Sequence, residues 1–203
     1  MEKRFIVRVG AAVLLECGMD FFPALTDAHR AFVERQPVFF VATAAEGARI
    51  NLSPKGMDSF RVLDAGTVAY LDVGGSGNET NAHLAADGRI TIMFCAFDRP
   101  ALIFRIYGHG TAVLPQDDRW DALYAQFTPL PGTRQIFEIA VDQVQTSCGW
   151  GVPVMTLDRE RQTLSKYHAG QSDAERLAEW AEHPRSIDGL PTRVPTVAPG
   201  AAR

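Results

Sequence analysis

The chain has 203 residues, 46% hydrophobic and 22% charged, with a formal net charge of −4. That length supports one sizeable core, while the lack of a basic tract argues against a nucleic-acid partner, which needs a clustered positive face. No apolar run approaches the roughly 20 residues of a membrane-spanning helix, and three scattered cysteines, Cys17, Cys95 and Cys148, form no metal-ligand spacing and no disulfide framework, which points to a reducing cytoplasm.

Residues 1–18 have a basic start and a short apolar stretch, the outline of a signal peptide. Arg8 interrupts that stretch and no small-residue cleavage pattern precedes Met19, so residues 1–18 read as an upstream extension and Met19 as the natural start. Residues 26–36 read as a helix with Thr26 as N-cap, ended by Pro37. Two strands, 38–44 and 48–55, flank a turn at Glu46-Gly47 and form a hairpin. A strand at 67–73 leads through a glycine-rich turn to a short helix at 81–86. Strands follow at 89–97 and 102–114, the second bent or bulged at Gly108 and Gly110. A helix at 117–127, a strand at 135–144 and polar helices at 158–169 and 172–183 come next. The tail from Pro184 reads as loop or disorder. About six strands with helices fitted between them predict a mainly β fold with flanking helices, a closed or half-closed barrel. Phe39, Val41, Ile92, Phe94, Ile106 and Ile139 are its expected interior. Residues 19–183 form the single domain.

Strand periodicity puts Arg49, Asn51, Ser53 and Lys55 on one face of the hairpin's second strand. They line a polar ligand or form a solvated outer face. Arg105, Tyr107 and His109 share a face of the long strand, a site wall or the wet side of a sheet. Lys55 and Arg105 are the positive groups placed to meet a phosphate. Between residues 70 and 84 the chain reads YLDVGGSGNETNAHL. Glycines 74, 75 and 77 permit positive φ and close approach of the backbone. Thr80 caps the helix, leaving N–H groups free for an anion, or the whole is an ordinary capped turn. The order of residues matches neither a P-loop nor a Rossmann turn. The five histidines have no metal-site spacing, so no metal is expected. Trp150, between two glycines, is a core plug or a contact at an interface or a ligand ring.

Six ordered segments carry a resemblance: FFVATA (39–44), INLSPKG (50–56), YLD and GSGNETNAHL within 70–84, GRITIMFCAF (88–97), FRIYGHG (104–110) and SIDGLPT (186–192). Together they resemble the pyridoxamine 5'-phosphate oxidase-related family of flavin-binding split barrels, over residues 20–192. The resemblance implies a split β-barrel that forms a homodimer, with FMN in a cleft between subunits. It assigns cofactor contacts to Asn51, Ser53, Lys55, Asn78 and Thr80, and places Trp150 where an aromatic reaches the partner's flavin. The family's oxidases carry an Arg-Lys pair where this chain has Asn78 and Thr80, so Lys55, backbone N–H groups and Arg105 have to compensate. The family's pyridoxamine phosphate oxidases end in a segment with arginine and histidine for the substrate phosphate, and the tail TRVPTVAPGAAR does not match it. The implied function is an FMN-dependent oxidoreductase of unknown substrate, not a vitamin B6 oxidase. The alternative is a carrier, sensor or storage protein for a flavin, deazaflavin or haem.

Overall fold

The computed structural model describes residues 5–7 and 15–200. The expectation of an upstream extension ending before Met19 falls largely outside them. Strands β1 (Phe5–Val7) and β2 (Leu15–Cys17) pair with each other in a separate two-stranded sheet. The body begins with β3 (Met19–Phe22), α1 (Asp27–Val33), β4 (Phe39–Thr43) and β5 (Asn51–Lys55). It continues with β6 (Phe60–Val62), β7 (Thr67–Val73), α2 (Glu79–Ala86), β8 (Arg89–Cys95) and β9 (Ile103–Val113). Last come α3 (Trp120–Tyr124), β10 (Thr133–Ser147), α4 (Thr163–Ala169) and α5 (Asp173–Ala181).

Seven strands lie in the order β5-β4-β8-β9-β10-β7-β6, all antiparallel neighbours, and β3 pairs with the far end of β10. The sheet curls until its edges meet. Residues 56–59 alone connect edge strand β5 to edge strand β6, and Lys55 reaches Asp72 on β7. Among the described residues no ladder joins those edges. The result is a split barrel, with the split between β5 and β7. Pro54, which has no N–H to donate, sits on edge strand β5, where that costs least.

All six residues expected in the interior are buried in the main cluster, each at most 3% exposed. Phe39 stacks on Phe94, and Phe60 meets both rings edge-on. Burying each such side chain contributes about 1.5–3 kcal/mol. A second cluster, with Leu71, Ile136 and Trp120, lies on the other face of β7 and β10 beneath α3. This end of the sheet is therefore buried on both faces, and β7 reads as a near-continuous apolar run.

The sequence misjudges several boundaries. Thr26 does cap α1, in a capping box closed by His29. Strand β5 starts at Asn51, so Arg49 lies outside it and pairs with Asp188. Strands β3 and β6 are too short for periodicity to reveal. Helices α3 and α4 are shorter than predicted. The bulge expected on β9 lies on its partner, where Asp142 is an extra residue opposite Gly108. Over its described residues, the tail past Pro184 has no helix or strand, yet it is docked. Arg193 bonds the Asn81 side chain, the Ala112 carbonyl and Asp117, and Thr196 bonds Gln116.

Candidate cofactor site

At the split, β5, β7, the glycine turn, α2 and β10 enclose a cavity of about 290 Å³. Asn51, Ser53 and Lys55 line it from β5, Asp72 from β7, residues 75–80 from the turn and helix start, and Arg134 and Phe137 from β10. The polar face of β5 is thus turned toward the cavity, and the apolar residues Ile50, Leu52 and Pro54 face outward and are exposed. Asn51, Ser53 and Lys55 therefore do not form a solvated outer face, whereas Arg49, 71% exposed, lies outside the cavity.

The electrostatic centre is Asp72, whose carboxylate is 2% exposed. Lys55 Nζ donates to one oxygen at 2.9 Å. The other accepts from Arg134 Nη2 at 2.9 Å and Nε at 3.2 Å, and from Gln135 Nε2 at 2.9 Å. Burial pushes the carboxyl upward, but the charges of Lys55 and Arg134 and the bonds from Gln135 and Lys55 outweigh it. They hold Asp72 well below the usual carboxylate range. Two cations face one carboxylate, so the cluster keeps a positive excess toward the cavity. Arg134 also donates to the Gly77 carbonyl at 2.9 Å and pins the turn.

The glycine turn is built for packing. None of Gly74, Gly75 and Gly77 has positive φ, so the freedom that glycine gives there is not used for left-handed backbone. Gly74 is required for another reason: a Cβ there would lie 2.5 Å from Trp180 Nε1 on α5. The Gly74 N–H donates to the Gly132 carbonyl, and its own carbonyl accepts from His168 Nε2 at 2.8 Å. The C-terminal helices therefore clamp the turn from outside.

Helix α2 starts at Glu79 with Asn78 in the N-cap position, so Thr80 is not the cap. Asn78 makes no side-chain cap bond. Its Oδ1 accepts from Gln135 at 2.7 Å, and its Nδ2 donates to the Arg193 carbonyl at 3.3 Å. The first-turn N–H groups of α2 therefore lack a side-chain cap where the helix meets the cavity, which suits an anion. Glu79, bonded to the Ile187 N–H, opposes that potential. Asn51 Nδ2 donates to both Thr80 Oγ1 and Thr43 Oγ1 at 3.1 Å. A Thr80 hydroxyl that already accepts a bond keeps its own hydrogen for another acceptor.

Five of the seven expected cofactor contacts, Asn51, Ser53, Lys55, Asn78 and Thr80, thus line one cavity. Arg105 and Trp150 do not. Arg105 lies on the outer face of β9, bonded to Ser147 Oγ, and Trp150 is 46% exposed beyond the end of β10. Arg134, not Arg105, brings the second cation to the cavity. Arg134, Asp72 and Gln135 escaped sequence reasoning. The only signal was charge inside apolar strand runs, at AYLDV and at the head of RQIFEIAV.

The sequence pattern described as pyridoxamine 5'-phosphate oxidase matches residues 25–148. The pyridoxamine 5'-phosphate oxidase family protein ustO of Aspergillus flavus is 36% identical over 191 residues, covering 84% of this chain and 76% of that protein. The chain belongs to the pyridoxamine 5'-phosphate oxidase family. Among solved structures, HupZ of Group A Streptococcus is similar at 24% identity, covering 59% of this chain and 91% of that chain (TM-score 0.46). The FAD binding protein from Mycobacterium smegmatis is similar at 14% identity, covering 61% and 95% (TM-score 0.45). The family match ends at Cys148. In this family member the clamp on the glycine turn, built from α4, α5 and the tail, lies beyond it.

The geometry separates two roles for Thr80. Thr80→Ala removes no helix cap, so the ~1 kcal/mol typical of a lost cap should be absent from the ligand-free melt. The melting shift given by subsaturating FMN should be smaller than in the wild type, since bound ligand stabilises by mass action. Paired thermal melts with and without FMN check this, and equal FMN-induced shifts would rule out a cofactor contact.

Proposed function

We propose that this chain is a flavin-dependent oxidoreductase that holds FMN by its phosphate at the barrel split and works as a homodimer in the cytoplasm. The observation that carries the reading is the Lys55–Asp72–Arg134 cluster facing an uncapped helix start within one cavity. Family membership supports it. The residues fit the phosphate end of the cofactor: two cations, the Ser53 and Thr80 hydroxyls and the first-turn N–H groups of α2 are the donors a phosphate needs. Lys55, Arg134, Ser53 and Thr80 would hold the phosphate, and Asn51 orients Thr80. The cavity's ~290 Å³ lies just below the about 300–1,000 Å³ of ligand pockets. The flavin ring would therefore extend beyond it and need another wall.

A second copy would supply that wall. Ile50 is 78% exposed and Leu52 65%. Val154, Met155 and Leu157 are exposed along the irregular segment between β10 and α4. Apolar surface of this extent suits an interface. Sedimentation should show a dimer at micromolar concentration, and a folded monomer that still binds FMN would exclude this assembly.

Bound there, the flavin supplies hydride or electron transfer while the protein supplies position and electrostatics. Pyridoxamine phosphate is a poor substrate on this reading, because Arg193 in the tail is engaged with Asp117 and the Ala112 carbonyl. One feature favours the alternative of a binder without turnover: Lys55, Asp72 and Glu79, the cavity's titratable groups besides Arg134, are all tied in hydrogen bonds. Haem is disfavoured at this cavity, since among the described residues no His, Cys, Met or Tyr lines it to serve as an axial ligand. The absorbance spectrum of the purified protein separates these readings. Yellow colour that bleaches with NAD(P)H and returns in air supports the enzyme. Colour inert to reductant supports the binder, and a Soret band points to haem.

Lys55→Ala tests the phosphate register. It should weaken FMN binding by about 1.5–3 kcal/mol, the size of a hydrogen bond to a charged group. Riboflavin, which lacks the phosphate, should lose much less. Fluorescence titrations of both flavins make the comparison. Equal losses would place Lys55 beside the ring or ribityl chain instead.

A further inference from the structure

A second cavity, of about 330 Å³, opens across the ends of β4, β8 and β9. Ala42, Ala44 and Ile50 give it an apolar side. Two backbone features shape its polar edge. Strand β10 carries Asp142 as an extra residue between Val141, paired with Gly108, and Gln143, paired with Tyr107. A bulge of this kind re-aims a side chain. Here it sets Asp142 Oδ2 2.9 Å from His109 Nδ1. Glycine is obligatory opposite the bulge, because a Cβ on Gly108 would lie 2.2 Å from the Ala140 carbonyl oxygen.

The Asp142 carboxylate accepts from Nδ1–H, so the neutral imidazole carries its lone pair on Nε2. Both His109 and Asp142 line the cavity. Arg89, which also lines it, stands in register with His109 across the β8–β9 ladder and is bonded to Asp87. The Tyr107 hydroxyl is committed to Gln145 at 2.6 Å, so Tyr107 offers its ring. An exposed ion pair by itself contributes only about 0–1 kcal/mol and would need neither the bulge nor the glycine.

We propose that the His109–Asp142 dyad is a general base for a small phenolic ligand held in this cavity. The apolar side takes the ring, and the phenol O–H meets the Nε2 lone pair. In the step the O–H bond breaks and Nε2–H forms; Asp142 balances the imidazolium, and the phenolate stays paired with the Nε2–H it has formed. A carboxylic acid would arrive already ionised and gain nothing from a base. The site is separate from the flavin cavity, and its test needs no flavin.

The probe is 4-nitrophenol, colourless as the phenol and yellow as the anion, titrated with protein at a pH where the free probe is mostly neutral. The wild type should turn it yellow saturably. His109→Ala should weaken that response about tenfold or more, the worth of one charge-assisted hydrogen bond. Asp142→Asn should do the same with the histidine still present, because an amide no longer enforces the tautomer. His109 is 58% exposed and Asp142 55%, so both variants should fold, as thermal melts would verify. No colour with the wild type, or equal colour in all three proteins, would overturn the proposal.

Discussion

Replacing Asp72 by alanine should cost about 3–5 kcal/mol of folding stability, the loss typical of breaking a buried ion pair from one side. The Arg134 side chain is 8% exposed and would be left a buried cation without its carboxylate. Lys55, at 25%, can turn partly to water. Gln135, fully buried, would keep Asn78 and Asn81 but lose its bond to the carboxylate. Urea titration measures the loss, and a cost below about 1 kcal/mol would mean the cluster is not holding the split closed. The pH dependence follows from the same cluster. Asp72 is held below its unfolded value of about 3.9. Its contribution is therefore fully present above that value and is lost as pH falls through the folded value. The wild type should lose stability steeply below about pH 4, and Asp72→Ala should lack that share of the slope.

What the sequence shows and what it hides follow from the same geometry. Phe39, Val41, Ile92, Phe94 and Ile106 alternate on strands with one face inward, so period two exposes them. Asp72, Arg134 and Gln135 sit where β7 and β10 are buried on both faces. There alternation carries no information, and a charge looks like an interruption. Strand β5 inverts the usual rule, with polar residues toward the cavity and Ile50 and Leu52 outward. On the proposed reading a ligand lies on one side and a second copy on the other, and a single chain's sequence names neither. The glycine turn was legible as a special place, but its reason was not. Gly74 answers to Trp180, far along the chain, and local propensity cannot report such a contact. Thr80 was misread as a cap because Asn78, the residue at the helix boundary, spends its side chain on Gln135 and Arg193.

Gly132→Ala should be among the most damaging single changes in the chain. Gly132 has φ +79°, a region that costs a residue with a Cβ about 1–2 kcal/mol. That Cβ would lie 2.2 Å from the Cγ and Cδ2 atoms of His168. The ring has nowhere to retreat, being 1% exposed, with Nε2 on the Gly74 carbonyl and Nδ1 3.1 Å from the Gln171 side chain. Overpacking adds about 1–3 kcal/mol, so the whole loss should reach about 2–5 kcal/mol. The two contributions can be separated. In a His168→Gly background both the ring and the His168 Cβ, which would lie 2.7 Å from the new methyl, are gone, and Gly132→Ala should cost only the backbone share of about 1–2 kcal/mol. Equal costs in both backgrounds would mean that the ring is not the obstacle. The functional consequence is specific. Displacing His168 removes its bond to the Gly74 carbonyl and leaves the turn that forms one wall of the cavity more loosely held, by the Gly74–Gly132 backbone bond, Arg134 on Gly77 and the contacts of Asn78. FMN affinity should fall in Gly132→Ala and in His168→Ala alike, although neither residue lines the cavity. Unchanged FMN affinity in both variants would show that the C-terminal helices stabilise the barrel without shaping the site.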